Sequence, residues 1–397
     1  MAKLRNGFPF DSTDFDDAGE LPLVRIRDLN DAPFETFVDA RLVPAAALIR
    51  DGEIVIGMDG DFNVRLWDRG EAALNQRLCV LDANDDTDAR YLAYGLPEPL
   101  RRINEVTYAT TVKHLSSQQV QHIRLPDRPL SEQRAIADFL DRETAQIDVM
   151  IEAQRGLVVK LEERRDAVWA SLYMNADGRN EVQLGRIVNS IVDGPFGSGL
   201  TSAHYSDDGA RVIRLGNIGV GTFKDGDRAF IPLEYAATLR SHAVEPGDVV
   251  MAGLGDERMP LGRAAVVPSI GPAIVKADCY RLRPTEAVDA GYLAWALSSP
   301  PVRAQIGELA RGSTRQRLNT TVAKAVRLKL PTLAGQAETL QTYGSIDRSI
   351  DAMIRAANEA VALMRERRAA LISAAVTARI DPRTGKEIVP EKVLESA

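Results

Sequence analysis

The segment Leu130–Asp141 reads Leu-Ser-Glu-Gln-Arg-Ala-Ile-Ala-Asp-Phe-Leu-Asp and determines the organisation of the chain. Ser131 suits a helix N-cap, and Glu132 follows in the first turn, where the helix dipole favours an acid. From there to about residue 172 the chain contains no proline and one glycine. Apolar residues recur at heptad spacing, at Leu140, Ile147, Leu161 and Val168. The pattern predicts a helix of about 40 residues, roughly 60 Å long at 1.5 Å per residue.

This segment is present twice. Gln133 lies 203 residues before Gln336, and the alignment continues without a gap. A period of about 200 is much longer than the 20–50 residues of a solenoid repeat, so it indicates a duplicated domain with its connector. A monomer with two similar modules can imitate a two-fold dimer and suits a bipartite target. Further matched pairs are Ile147-Asp148 with Ile350-Asp351, Glu163-Arg164-Arg165 with Glu366-Arg367-Arg368, Leu115 with Leu318, Tyr91-Leu92-Ala93 with Tyr292-Leu293-Ala294, and Cys79 with Cys279.

Two long helices with apolar stripes can bury each other, whereas one alone cannot bury its own stripe. Because each follows an equivalent domain, we expect them to pair antiparallel within the chain. An alternative is that each packs only on its own domain. The predicted segments are a first domain at 1–128, a first helix at 129–175, a second domain at 176–332, a second helix at 333–377 and a tail at 378–397.

Short strands mixed with helices and loops predict an α+β fold for both domains. The first domain has predicted strands at 23–27, 53–57, 78–81 and 120–125, and a helix at 88–104. The second repeats this order, with strands at 211–215, 248–252, 279–282 and 326–330 and a helix at about 289–309.

Composition points to an ordinary soluble protein in a reducing cytoplasm. The chain is 45% hydrophobic and 26% charged, and its longest apolar runs are too short to cross a bilayer. Two cysteines about 200 residues apart form neither a zinc pattern nor a disulfide framework, so we expect two equivalent buried thiols. The net charge is −7, yet residues 303–329 hold seven Lys/Arg against the single acid Glu308. Charge therefore leaves nucleic-acid binding open.

The residues resemble those of the DNA-specificity subunits of Type I restriction–modification systems. The strongest match is Leu130–Asp141 with Ile147-Asp148 and Leu161–Arg165, which resembles the proline, glutamine and long-helix segment that follows each recognition domain in that family. The other matching segments are 5–12, 24–29, 57–63 and 74–77 in the first copy, and 193–198, 213–218 and 312–319 in the second.

The resemblance implies a non-catalytic subunit in which each target-recognition domain reads one half of a split, asymmetric DNA site. The paired helices would set the unspecified gap and dock two methyltransferase subunits, and restriction/translocase subunits would join one copy of this chain. S-adenosylmethionine, ATP and Mg would bind those partners, and this chain would bind no cofactor or metal. One departure is that Val182–Ile187, ahead of Gly194, has no counterpart ahead of Gly7. Either the start is truncated, or a strand from elsewhere, such as the 376–397 tail, completes the first domain.

DNA readout needs arginine, asparagine or glutamine at groove edges and cations or hydroxyls at phosphates. The candidate contacts combine such side chains with predicted loops or alternating strand positions. In the first domain they are Arg25, Arg27, Asn63, Arg65, Trp67, Lys113 and His114, and in the second Arg214, Asn217, Arg311, Ser313, Thr314, Arg315, Arg317 and Asn319. The competing interpretations are a solvated basic loop at 311–319, and a turn held by structural Asp side chains at 57–67.

Catalytic patterns are absent from the sequence. The four histidines are scattered and form no HExxH motif, and neither a Walker A loop nor a GxSxG elbow is present. Asp59, Asp61 and Asn63 alternate as in an EF-hand, but Val64 and Gly70 stand where that loop needs Gly and Glu. Two rival functions remain: a coiled-coil scaffold that binds protein and not DNA, and an enzyme acting alone.

Overall fold

The computed structural model describes residues 1–29, 33–106, 113–176, 181–256, 259–310 and 317–385. The chain divides into two compact units. The first unit comprises Met1–Arg155 with Glu359–Ala397, and the second comprises Gly156–Asn358. Each unit therefore contains one globular module and parts of both long helices.

The first unit contains two four-stranded sheets. One has the strand order β1-β8-β5-β6 and is antiparallel, and the other has the order β3-β2-β7-β4, with β2 and β7 parallel. Its elements are β1 (Ala2–Asn6), β2 (Leu21–Val24), β3 (Phe37–Val38), β4 (Leu48–Ile49), β5 (Ile54–Gly57), β6 (Val64–Leu66), β7 (Ala72–Leu74), β8 (Leu78–Ala83), α1 (Ala89–Gly95), α2 (Pro97–Val106), α3 (Ser117–Gln121) and the first part of α4 (Leu130–Asn175).

The second unit repeats both sheets, with the orders β10-β17-β14-β15 and β12-β11-β16-β13, and β11 pairs parallel to β16. It adds a two-stranded sheet, β9 with β18. Its elements are β9 (Glu181–Gln183), β10 (Val188–Val192), β11 (Ala210–Ile213), β12 (Phe230–Ile231), α5 (Leu233–Thr238), β13 (Ala243–Val244), β14 (Val249–Ala252), β15 (Ala264–Val266), β16 (Ala273–Val275), β17 (Cys279–Pro284), α6 (Ala290–Ser298), α7 (Pro300–Leu309), α8 (Thr320–Ala325), β18 (Arg327–Lys329) and α9 (Leu333–Val376).

The shared strand order confirms the duplication that the sequence predicts. One glycine in each copy shows how closely the two backbones correspond. A Cβ on Gly7 would lie 1.9 Å from the Asn75 carbonyl oxygen, and one on Gly194 would lie 2.3 Å from that of Lys276. Both positions therefore require the close approach of two backbone segments, which only glycine allows.

A buried glutamine joins each module to the helix that follows it. The Gln133 side-chain oxygen accepts from the Asp88 backbone N–H at 3.0 Å, and its nitrogen donates to the Asp86 and Arg128 carbonyls at 3.2 and 2.8 Å. Gln336 makes the same three bonds in the second unit: it accepts from the Asp289 N–H at 2.7 Å and donates to the carbonyls of residues 287 and 331 at 3.1 and 2.9 Å. These two residues anchored the sequence alignment, and their role is to fix the helix against the module.

The two long helices pair antiparallel within each unit, as the sequence predicts. In the first unit, Ile136 and Phe139 of α4 pack with Ala375 of α9. Further along α4, Asp148 forms an ion pair with Arg368 at 3.0 Å. In the second unit, Arg165 of α4 contacts Asp347 at 2.9 Å and also pairs with Asp351, and Trp169 packs on Tyr343. In both cases later residues of α4 meet earlier residues of α9.

Four of the predicted local elements are wrong. Residues 120–125 do not form a strand, because Ser116 and Gln119 form a reciprocal capping box that starts the helix α3. The helices predicted at 88–104 and 289–309 each break in two, at Pro97 and at the Ser299-Pro300 step. The strand predicted at 23–27 ends at Val24 and continues as a 3₁₀ turn, Ile26–Leu29.

The segment 123–126 of the first unit differs from its counterpart β18. Among the described residues it pairs with no strand, whereas β18 pairs with β9. The expectation that residues 376–397 complete the first module falls largely on positions 386–397, which lie outside the described residues. Within the described ranges, no helix is both long and apolar enough to cross a membrane.

Candidate nucleic-acid interface

Each unit brings a loop that follows a central strand against the segment that precedes a short helix. In the first unit the loop after β5 meets residues 113–115: the Gly60 N–H donates to the Lys113 carbonyl at 3.1 Å, and the Leu115 N–H donates to the Met58 carbonyl at 2.7 Å. In the second unit Leu318 N–H donates to the Gly253 carbonyl at 2.8 Å. The sequence placed these loops far apart, and the fold assembles them into one surface per module.

The first surface consists of Asn63, Arg77, Lys113 and His114 around Asp59. The Asp59 carboxylate contacts the His114 ring nitrogen Nδ1 at 2.7 Å and accepts from the Arg77 guanidinium at 2.9 Å. The side chains of Arg77 and His114 are 59% and 57% exposed, so both remain available to a ligand. Asn63 is exposed, and Lys113 donates to the Asn104 carbonyl at 2.6 Å. Arg77 was missed as a candidate, although it ends one of the matching segments.

The second surface centres on Arg317. Its Nε donates to the Asp278 carboxylate at 2.8 Å, and its guanidinium lies 5.4 Å from the centre of the Phe196 ring. Phe196 is 54% exposed, so part of its ring is available for stacking. The Asn319 side chain accepts from the Val322 N–H at 2.8 Å as the N-cap of α8. Phe196 was missed, because a lone aromatic in a glycine-rich loop gives no periodic signal.

Arg25, Arg27, Arg214 and Asn217 occupy an equivalent turn in the two units, after β2 and after β11. Asn217 is fully buried and accepts from the Arg214 N–H at 2.8 Å, so it shapes the turn and cannot reach a base in this conformation. Arg214 pairs with Asp227, and Arg25 lies 3.6 Å from Asp28. Arg27 is 57% exposed and pairs with Glu35 at 2.7 Å. Of the four, Arg27 presents the most surface.

Trp67 lies in the core of the first module, and Arg65 is partly buried. Trp67 is 1% exposed, and its indole nitrogen donates to the Gly70 carbonyl at 2.6 Å. Arg65 donates to the Leu29 carbonyl at 3.2 Å and to Asp68 at 2.8 Å. Of residues 63, 65 and 67 only Arg65 lies within β6, and Trp67, directly after that strand, packs in the core. The remaining candidates Arg311, Ser313, Thr314 and Arg315 lie outside the described residues.

A buried arginine supports the second surface. Arg263 is 3% exposed, and its guanidinium donates to the carbonyls of Ile218 at 2.7 Å, Leu215 at 3.1 Å and Leu254 at 3.2 Å. Burial lowers the pKa of Arg263, yet a guanidinium starts so far above neutral pH that it stays charged. It therefore ties the turn after β11 to the loop that carries Leu254, which bridges to Arg317.

The titratable groups nearby give no nucleophile. Burial raises the pKa of both Cys79 and Cys279 to about 12, so both thiols are protonated at neutral pH. Asp193 has a raised pKa because it is partly buried, although it accepts from the N–H groups of Gly194 and Asp278 at 2.7 and 2.9 Å. Among the described residues, no group of three or more His, Cys, Asp or Glu is placed to hold a metal ion.

Comparison with known proteins agrees with this architecture. A family model described as the Type I restriction modification DNA specificity domain matches residues 1–155. The Type I restriction enzyme EcoBI specificity subunit of Escherichia coli is 27% identical over 392 residues, which cover 91% of this chain and 81% of that protein. Residues 1–155 thus match this specificity domain, and the chain is similar over most of its length to a Type I specificity subunit.

Two further proteins match this chain over most of its length. The Type I restriction enzyme MjaVIII specificity subunit of Methanocaldococcus jannaschii is 22% identical over 347 residues, which cover 84% of this chain and 80% of that protein. A solved chain from a study of complex assembly and conformational transition of the type I R-M system superposes with a TM-score of 0.68 at 17% identity and covers 86% of each chain. At that identity the superposition supports the fold alone.

Proposed function

We propose that this chain is the DNA-recognition subunit of a Type I restriction–modification complex and that each module reads one half of a split, asymmetric site. The observation that carries the proposal is the pair of equivalent surfaces on one repeated scaffold. The first surface presents Asn63, Arg77 and His114, whereas the second presents Arg317 and Phe196. Because the scaffolds match and the side chains differ, the two modules should prefer different half-sites.

The chemistry of these side chains suits a DNA groove. Arginine can donate two hydrogen bonds to guanine, and asparagine can pair with adenine. Asp59 holds Arg77 and His114, and Asp278 holds Arg317, in defined orientations, so fewer rotamers are lost on binding. In this proposal Lys113, whose ammonium donates to Asn104, contacts a phosphate, which would fix register without reading sequence. Trp67 and Asn217 would act indirectly, because both are buried.

The catalytic steps would be carried out by partner subunits. In this proposal two methyltransferase subunits dock on the long helices α4 and α9, and restriction/translocase subunits join that core. S-adenosylmethionine, ATP and Mg would bind those partners, and one copy of this chain would serve each complex in the cytoplasm. The buried thiols of Cys79 and Cys279, with pKa values of about 12, support a chain without a cysteine nucleophile.

A gel-shift titration on duplex DNA, with and without the methyltransferase subunit, tests this proposal. The chain carries a net charge of −7, so we expect weak binding alone and tight binding in the complex. Affinity of the complex should fall steeply with salt, because phosphate contacts release counterions. Tight binding by the chain alone would contradict the expectation that this chain needs its partner subunits to bind DNA tightly. Absence of DNA retention at low salt, even in the complex, would favour the coiled-coil scaffold without DNA binding.

Single substitutions then test the two surfaces. Arg317→Ala should weaken binding by about 1–3 kcal/mol and relax preference at one half-site only, if the guanidinium reads a base. Arg348→Ala removes an exposed arginine on α9 and should leave sequence preference unchanged. If Arg317→Ala weakened binding equally for all DNA sequences, Arg317 would contact a phosphate and not a base.

A further inference from the structure

The first unit contains a cleft of about 1000 Å³ that the candidate DNA surfaces do not use. It lies between α1 and α2 on one side and the C-terminal part of α9 on the other. Its apolar wall includes Tyr94, Leu125, Ile372 and Val376. This volume is at the upper end of the range typical of a binding pocket, about 300–1,000 Å³, and an apolar wall with charged groups at the edge is also typical.

The same place in the second unit is filled. Tyr94 corresponds to Trp295, 201 residues later. Ile372 and Val376 correspond to Trp169 and Tyr173, which lie 203 residues earlier. The two tryptophan rings there stack with their centres 6.1 Å apart, and Tyr173 lies 6.2 Å from Trp295. Smaller side chains at all three positions leave the first unit open. A ligand of the cleft can therefore place an apolar or aromatic group at the position that the aromatic side chains fill in the second unit.

The edge of the cleft is strongly basic. Its lining includes eight arginines against the three acids Asp68, Glu98 and Asp141. Several of these arginines already form ion pairs with the protein, such as Arg90, which pairs with Asp138 and Asp141 at 2.8 and 2.7 Å. Others are not: Arg124, Arg365 and Arg379 are exposed, and none of the three forms an ion pair with a described residue.

Charge differs between the copies at the same positions. Arg365 stands where the second unit has Glu162, and Ala369 stands where it has Asp166, which lies 3.6 Å from Arg303. Both changes make the first cleft more positive than its counterpart. On a chain with a net charge of −7, this is a local site for an anionic partner.

We propose that this cleft binds one acidic segment of a partner polypeptide, with an apolar or aromatic side chain inserted between Tyr94 and Ile372 and carboxylates paired with Arg124, Arg365 and Arg379. A polypeptide fits better than duplex DNA, because the wall is apolar and a phosphate backbone has no apolar side chain to bury there. The second unit has no equivalent opening among its described residues, so the chain binds one such segment and not two. The inference does not depend on which bases the modules read.

Fluorescence anisotropy on the full chain tests the proposal. The probe is a short fluorescein-labelled peptide in which glutamates flank one tryptophan and one leucine. We expect saturable binding of one peptide per chain, and no binding of a peptide with lysines in place of the glutamates. The double variant Arg365→Glu/Arg379→Glu should weaken binding about tenfold, because two exposed ion pairs are lost and the charge reversal adds repulsion.

Matched controls separate a docked peptide from general charge attraction. Arg367→Glu changes an exposed arginine of α9 that does not line the cleft and should leave binding within about twofold of the wild type. Ala369→Trp should block the cleft, whereas Ala370→Trp, at the next exposed position, should not. All of these side chains are exposed, so the circular dichroism spectrum should stay unchanged.

Four results would overturn the proposal. They are no saturable binding, binding of two peptides per chain, equal losses in Arg367→Glu and the double variant, or unaltered affinity in Ala369→Trp. A duplex oligonucleotide that displaces the peptide and shows the same sensitivity to Arg365→Glu/Arg379→Glu would also overturn it, since the cleft would then be part of a DNA surface.

Discussion

Replacing Gln336 with leucine should break the attachment between the second module and α9. The amide of Gln336 is fully buried and satisfies three backbone groups: the Asp289 N–H at 2.7 Å, the Ala287 carbonyl at 3.1 Å and the Pro331 carbonyl at 2.9 Å. Gln336→Leu keeps nearly the same volume but provides no partner to any of them. The loss is therefore one of hydrogen bonding and not of packing.

The expected cost follows from the number of groups left unpaired. A buried backbone group without a partner costs roughly 1–3 kcal/mol, and a carbonyl tolerates the loss better than an N–H. The Asp289 N–H should contribute most, and burial of a leucine offsets part of the total. We expect a net loss of about 3 kcal/mol in the second unit.

Hydrogen exchange at the Asp289 amide gives the local readout, because this N–H bonds directly to Gln336. Gln336→Leu should remove most of its protection and leave the Asp88 amide unchanged, and Gln133→Leu should do the reverse. Urea unfolding followed by tryptophan fluorescence gives the overall loss, since Trp169 and Trp295 both lie in the core of the second unit. Gln341→Leu, an exposed position on α9, is the matched control. The reasoning is refuted if Gln341→Leu costs as much stability as Gln336→Leu, or if Asp289 stays protected.

Three further outcomes test the fold. Gly7→Ala should destabilise the first unit by about 1–3 kcal/mol in urea unfolding, because the new Cβ would lie 1.9 Å from the Asn75 carbonyl oxygen; an unchanged midpoint would contradict the close approach. Gly344→Ala should stabilise α9 by up to about 1 kcal/mol, since the site is helical with open space around it, and a loss would show a hidden contact. Iodoacetamide at about pH 8 should leave Cys79 and Cys279 unmodified in the native chain and alkylate both after unfolding, because burial holds each thiol pKa at about 12; rapid native alkylation, measured by mass spectrometry, would contradict this.

The sequence predicted the features that depend on repetition and periodicity. Gln133 and Gln336 indicated the duplication. The apolar heptad positions of α4 indicated that it needs a partner stripe, and the equivalent domain before each long helix indicated the antiparallel orientation. A proline precedes each long helix: α4 begins directly after Pro129, and α9 begins two residues after Pro331. The short helix α3 was missed, because a five-residue helix set by the Ser116–Gln119 capping box carries no period.

The candidate site was harder to predict, because surface exposure in a loop is decided by tertiary contacts. Trp67 and Asn217 are suitable in chemistry for DNA contact, yet both are buried and bonded to backbone groups. Arg77 and Phe196 become candidates only when the fold places them beside His114 and Arg317. Residue type therefore indicated the chemistry, and only the fold showed which side chains reach the surface.

In the proposed function each module reads its own half of the split DNA site. The most direct measurement is to sequence the methylated positions produced by the complex of this chain with its methyltransferase, for the wild type, His114→Ala and Arg317→Ala. We predict a split site in the wild type, relaxation of one half in His114→Ala and of the other half in Arg317→Ala. Methylation at an unsplit site, or relaxation of the same half by both variants, would contradict the account.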